Sequence, residues 1–179
     1  MPYGIVLLPS GADSVRLVGY AAAFGSGAVM ALGPQAPPHI TLAHVDCARE
    51  AADAWWAASS ALLDAAYDVT LCGLMLAPVP VGNLYVPEGG IYAGLEAVRR
   101  SALEAAHRLV LGTAVAAGAP TIGAVGGDYR PHVTLGVLGG VPVTVPSLPE
   151  DLLTATLPTR LAYGRIGPYG TVPEIIERR

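Results

Sequence analysis

One pattern, Pro-His-x-Thr-Leu, occurs twice in this chain: at 38–42 within PPHITLA and at 131–135 within RPHVTLG. The copies are ninety-three residues apart, one in each half of a 179-residue chain, and they take up two of its four histidines. A β-strand turns successive side chains to opposite faces. In each copy the histidine and threonine therefore point one way, and the apolar residues between and after them point the other. His39 with Thr41 and His132 with Thr134 make two polar pairs, backed by Ile40, Leu42, Val133 and Leu135. The repeat calls for a fold in which two equivalent half-buried strands approach each other, so that the polar pairs meet across a cleft.

The rest of the chain supplies elements for such a fold. YGIVLLP at 3–9 reads as a buried strand ended by Pro9 and Gly11, and Asp13 or Ser14 is placed to cap a helix running to about Ala23. AVMAL follows as a strand, and the Pro-rich turn GPQAPP delivers the first pentapeptide strand, HITLAHV. Residues 47–68, rich in alanine and leucine with early acidic residues, read as a helix. VTLCGLMLAPV and GNLYVP read as strands, 93–117 as a second long helix, and GAVGGDY as the loop into the second pentapeptide strand. LPTRLAYGRI closes the series as a strand. Residues 1–179 are thus expected to form one α+β domain of two pseudo-symmetric lobes, since the chain is too short for two ordinary domains.

Composition narrows the partners. Hydrophobic residues make up 53% and charged residues 13%, enough to fill a sizeable core. The most apolar stretch, 17–33, is broken by glycines and a serine and falls just short of the ~18–20 residues of a membrane span, so no membrane partner is expected. No basic region precedes an apolar core at the start, and a cytoplasmic location is expected. All ten cations are arginine, the net charge is -4, and no basic run occurs, which argues against binding long nucleic acid. A small molecule or the end of a nucleotide chain fits better. Cys47 and Cys72 have no metal-site spacing and read as reduced thiols.

Two imidazoles and two hydroxyls around one cavity suit phosphodiester chemistry. A neutral histidine takes a proton from the attacking oxygen, an imidazolium protonates the leaving oxygen, and threonines bind the non-bridging oxygens as charge grows there. The scheme calls for no metal and no cofactor.

The paired pentapeptides resemble the His-x-Thr motifs of the 2H phosphoesterase superfamily, which includes 2′-5′ RNA-ligase-like proteins and cyclic nucleotide phosphodiesterases. The likeness extends over most of the chain, through the first strand and helix, the spacing between copies and the closing LPTRLAYGRIGPYG segment. It implies a bilobal duplicated fold, two mainly antiparallel sheets facing a central cleft with helices outside. It also implies that His39 and His132 serve as acid and base, and Thr41 and Thr134 as phosphate ligands. The function so implied is metal-independent hydrolysis of a cyclic phosphodiester, such as a 2′,3′-cyclic nucleotide. Two alternatives stand beside it: acid-base chemistry on a non-phosphate substrate in a biosynthetic pathway, and a non-catalytic binder of a phosphorylated ligand.

Other polar residues receive quieter readings. His44 lies an odd number of residues after His39, so on an unbroken strand it faces away from the site, and a zinc site from these two is not expected. His107 reads as structural, Tyr129 as packing, and Arg130 as a solvated cation beside the second copy. Trp55 and Trp56, adjacent on one helix, are not expected to share the core.

Overall fold

The computed structural model describes residues 1–140 and 144–179. The first strand, β1 (Pro2–Pro9), is buried on both faces, as its unbroken apolar run requires of a central strand. Helix α1 (Gly11–Ala21) is capped by Ser10, whose Oγ accepts from the Asp13 backbone N–H and donates to the Asp13 carboxylate at 2.7 Å. The cap therefore lies one turn ahead of the Asp13 or Ser14 expected from sequence. Then come β2 (Ala28–Ala31), β3 (Ile40–Asp46), which opens at Ile40 so that His39 of the first pentapeptide stands just ahead of it, and α2 (Arg49–Leu62).

Residues 66–79 form one long strand, β4 (Ala66–Val79), while GNLYVP is a loop rather than a strand. After it comes β5 (Gly90–Ala97), so residues 93–97 are strand and the helix, α3 (Ser101–Ala116), begins later than expected. Ala93, Leu95 and Ala97 are fully buried between two neighbouring strands, and that pairing overrides their helical propensity. The short β6 (Thr121–Ile122), β7 (His132–Leu138) with the second pentapeptide, α4 (Glu150–Leu153), β8 (Thr156–Arg165) and β9 (Glu174–Arg178) complete the chain.

Backbone pairing joins nine strands into one antiparallel sheet, ordered β2-β7-β5-β4-β8-β1-β3-β6, with β9 alongside β8. The two sheets inferred from sequence are two wings of this sheet. β4 belongs to both, pairing with β8 through Thr70 and with β5 from Leu71 onward. The change of partner coincides with a bulge at Leu71–Gly73, where Gly73 takes φ 144°, a conformation only glycine adopts without strain. The wings meet again where Ile40 of β3 pairs with Val133 of β7, each strand lying one in from its wing's edge.

α2 packs on α3, α3 on β3, α1 on β7 and α4 on β4, which places the helices outside the wings. Both tryptophans are buried, contrary to expectation, because α2 is covered on two sides. Trp55 donates to the Val110 carbonyl of α3 at 2.9 Å, while Trp56 stacks on Tyr163 of β8 at 5.6 Å. No helix among the described residues is long and apolar enough to cross a membrane.

Candidate active site

The single pairing of Ile40 with Val133 sets the geometry of the site. Antiparallel register places the neighbours crosswise: His39 beside Thr134, and Thr41 beside His132. Ile40, Leu42, Val133 and Leu135 are all fully buried on the opposite face, within one core cluster. All four polar residues line a cavity of about 380 Å³ between the wings, within the range of small-ligand sites.

The two histidines are held in the same way. His39 donates from Nδ1 to the Pro37 carbonyl at 2.9 Å, and His132 from Nδ1 to the Arg130 carbonyl at 2.7 Å. A carbonyl only accepts, so Nδ1 carries the hydrogen and Nε2 of each neutral ring keeps its lone pair. In each copy the carbonyl that fixes the tautomer belongs to the residue just before the motif proline, two positions ahead of the histidine. Burial pushes the pKa of both below the ordinary imidazole value, the carbonyl bonds opposing that shift.

Both pentapeptide strands bulge at the same point. Opposite β1, Thr41 pairs with Val6 and Ala43 with Ile5, leaving Leu42 as the extra residue. Opposite β5, Thr134 pairs with Gly94 and Gly136 with Ala93, leaving Leu135 as the extra residue. A bulge inserts one residue and reverses the facing of everything beyond it. His44, expected to face away, is for this reason turned into the cavity. Its Nδ1 lies 2.7 Å from the Tyr85 hydroxyl and its Nε2 3.4 Å from Thr41 Oγ1. Burial, chiefly, drives its pKa down to about 3, with the charges of His39 and His132 adding to the effect.

Unpaired carbonyls at a bulge need partners. In β3 they are met by side chains: the Tyr129 hydroxyl donates to the Thr41 carbonyl at 3.0 Å, and His107 Nδ1 to the Leu42 carbonyl at 2.6 Å. His107 Nε2 accepts the Gly126 backbone N–H at 2.9 Å, which fixes this ring as the Nδ1–H tautomer. The two rings stack at 3.8 Å, only 4° from parallel. His107 is therefore structural, as read from sequence, and it ties the GAVGGDY loop to the first pentapeptide strand. Tyr129 packs as expected and also makes a hydrogen bond that no sequence signal announced. In β7 the Leu135 carbonyl is met by the Leu32 backbone N–H just past β2, at 3.0 Å.

The remaining walls are mostly apolar and aromatic. Met75, Leu84 and the rings of Tyr85, Tyr92 and Tyr169 line them. Tyr169 is the one non-glycine residue with positive φ among the described residues, at 60°, and its hydroxyl donates to Glu88 at 3.1 Å. Arg130 is the cavity's one cation among the described residues, and its guanidinium is paired with Glu96 at 3.1 Å rather than merely solvated. Among the described residues no group of three His, Cys, Asp or Glu is arranged to hold a metal ion, and both cysteines are free.

Comparison with solved structures places this architecture. Over 99% of this chain and 95% of the other, it is similar to E. coli LigT, with a TM-score of 0.64 at 12% identity. It is similar to TT0787 of Thermus thermophilus over 99% and 96%, with a TM-score of 0.62 at 19% identity. The MHV ns2 PDE domain matches over 93% of this chain and 100% of that one, at 0.52 and 14%. No family model matches the sequence, and no curated protein matches it significantly. The fold is that of the 2H phosphoesterases.

Proposed function

We propose that the chain is a phosphoesterase that opens a cyclic phosphodiester by two-histidine acid-base catalysis. One observation carries the reading: antiparallel register sets two Nε2-bare imidazoles, each beside the other copy's threonine, on one cavity wall. In hydrolysis, one neutral imidazole accepts a proton from water as its oxygen bonds to phosphorus. The other, as imidazolium, gives its proton to the ring oxygen as that P–O bond breaks. Thr41 and Thr134 donate to the non-bridging oxygens, where negative charge builds. Neither transfer calls on a metal, because both protons move through imidazoles.

The walls narrow the substrate. With Arg130 tied to Glu96, the cavity offers no free cation among the described residues for a long phosphate backbone, while its tyrosine rings suit the body of a small molecule. A nucleotide-sized ligand is also in keeping with the E. coli LigT structures in complex with 3′-AMP and with phosphate. Burial lowers the pKa of both histidines, and an anionic substrate beside them raises it again and draws in the proton that the acid requires. The test is turnover of 2′,3′-cyclic nucleotides in the presence of EDTA. Expected is activity with a bell-shaped pH dependence, lost in His39→Ala and in His132→Ala. Activity surviving both substitutions refutes the mechanism, and calorimetric binding without turnover makes the protein a phospho-ligand binder.

A further inference from the structure

The cavity holds a third imidazole with no counterpart in the second pentapeptide strand. We propose that His44 is a positioning residue: held by Tyr85, it turns the Thr41 hydroxyl proton into the cavity, toward a non-bridging oxygen of the substrate. The proposal rests on the phosphodiester reading above.

Proton counting sets the direction of this relay. Burial keeps His44 neutral, so the ring has a single N–H to place. A phenol also has one proton. Were Nδ1–H to point at Tyr85, the phenol proton of this part-buried side chain would have no other protein acceptor among the described residues, whereas the opposite arrangement gives it one. The phenol therefore donates to a bare Nδ1 across 2.7 Å, and the ring carries its hydrogen on Nε2. Nε2–H donates in turn to Thr41 Oγ1 at 3.4 Å. A hydroxyl that accepts from behind presents its own proton forward, and a phosphate oxygen can only accept it. The reverse tautomer would draw the Thr41 proton back toward His44, away from substrate. His44 thus carries its hydrogen on the opposite nitrogen from His39 and His132.

Two further features single out this side of the site. Gly4 of β1 is the register partner of His44, and a Cβ there would sit 2.8 Å from His44 Cδ2, so the imidazole fits only against glycine. At the matching position of the second strand stands Val137, packed with Val79 and Val86, and Thr134 Oγ1 has no hydrogen-bond partner among the described residues. Thr41 is held as a donor, and Thr134 is free to rotate.

Imidazole ¹⁵N NMR of the intact, substrate-free protein decides the tautomer without reference to catalysis. Protonated Nε2 and bare Nδ1 are expected for His44, with the reverse for His39 and His132; His44 sharing their tautomer overturns the proposal. Kinetics then decide the role. Tyr85→Phe, which removes one oxygen, is expected to lower kcat about ten-fold with KM little changed, and to have no such effect in a Thr41→Val background. Equal losses in both backgrounds overturn action through Thr41. His44→Gln, which keeps an N–H for Thr41, is expected to retain more activity than His44→Leu, and equal loss in the two counts against the relay. A wild-type protein inert toward every cyclic phosphodiester sinks the functional reading instead, while the NMR result still stands or falls alone.

Discussion

The two pentapeptide strands share a distortion but differ in how it is held. In both, the leucine after the threonine is the extra residue of a bulge. In β3 the freed carbonyls are met by Tyr129 and His107 side chains, and the residue turned inward beyond the bulge is His44. In β7 the Leu135 carbonyl is met by backbone from beyond β2, and the corresponding residue is Val137. One motif thus places both cavity histidines, while its surroundings make one side polar and wired to side chains and the other apolar and backbone-supported. A repeat fixes the geometry that both copies need, and the next few residues set the two copies apart.

The sharpest way to break this comparison is to ask whether the copies are equal where they should be. His39→Ala and His132→Ala are each expected to cost on the order of 10²- to 10⁴-fold in kcat, and the double variant little more than either alone, because the residues act as a unit. Strongly unequal losses would mean that one histidine is not in the reaction. The threonines should be unequal: Thr41→Val is expected to cost about 100-fold and Thr134→Val about ten-fold, since a pre-aimed donor contributes more than one that must be oriented. Steady-state kinetics on one cyclic substrate compares them directly, and equal losses would erase the distinction between the sides.

Stability offers the next contrast. Tyr129→Phe strips the Thr41 carbonyl of its partner, and His107→Leu strips both the Leu42 carbonyl and the Gly126 N–H. Each buried carbonyl left unmet costs about 1–3 kcal/mol, and His107→Leu also cuts the tie to the exposed Gly126 loop and the stack on Tyr129, so urea denaturation should show His107→Leu as the more destabilised. On the β7 side, Val137→Ala deletes two buried methyl groups and should cost about 1–2 kcal/mol as a plain cavity, leaving its bulge intact.

Much of this architecture was legible in the alternation of residues. A period of two placed Ile40, Leu42, Val133 and Leu135 in the core and the polar pairs in the cavity, because half-buried strands obey that period until something interrupts it. The bulges interrupt it, and nothing in Thr-Leu-Ala or Thr-Leu-Gly announces an unpaired leucine, so the inward turn of His44 stayed hidden. Ala93–Ala97 read as helix because alanine, leucine and glutamate favour one, whereas their strand state is imposed by pairing with β4, the preceding strand, and with β7, some forty residues further on. The Ser10 cap and the burial of both tryptophans likewise depended on partners that periodicity does not name. The pairing of Ile40 with Val133, on which the candidate site rests, is a tertiary contact that two matching pentapeptides made reasonable to seek.

The last contrast is a slope, and it tests the polar side by itself. His44 is held neutral down to about pH 3 by burial, whereas in the unfolded chain an imidazole protonates near its ordinary value of about 6.5. Above that value neither state takes up the proton and the contribution is fully present. As the pH falls through about 6.5 the unfolded state binds a proton that the folded state refuses, so stability declines toward acid by up to ~1.4 kcal/mol per pH unit for this residue. His39 and His132, also lowered by burial, add slopes of the same sign. Replacing His44 with leucine removes its share and should flatten the profile between about pH 6.5 and 4, while Val137→Ala, with nothing to titrate, should shift the whole profile without changing its slope. Urea midpoints collected over that pH range separate the two. An unchanged slope in His44→Leu would mean that the ring is protonated in the folded protein at those pH values, and hence that the bulge does not bury it as a neutral member of the cavity wall.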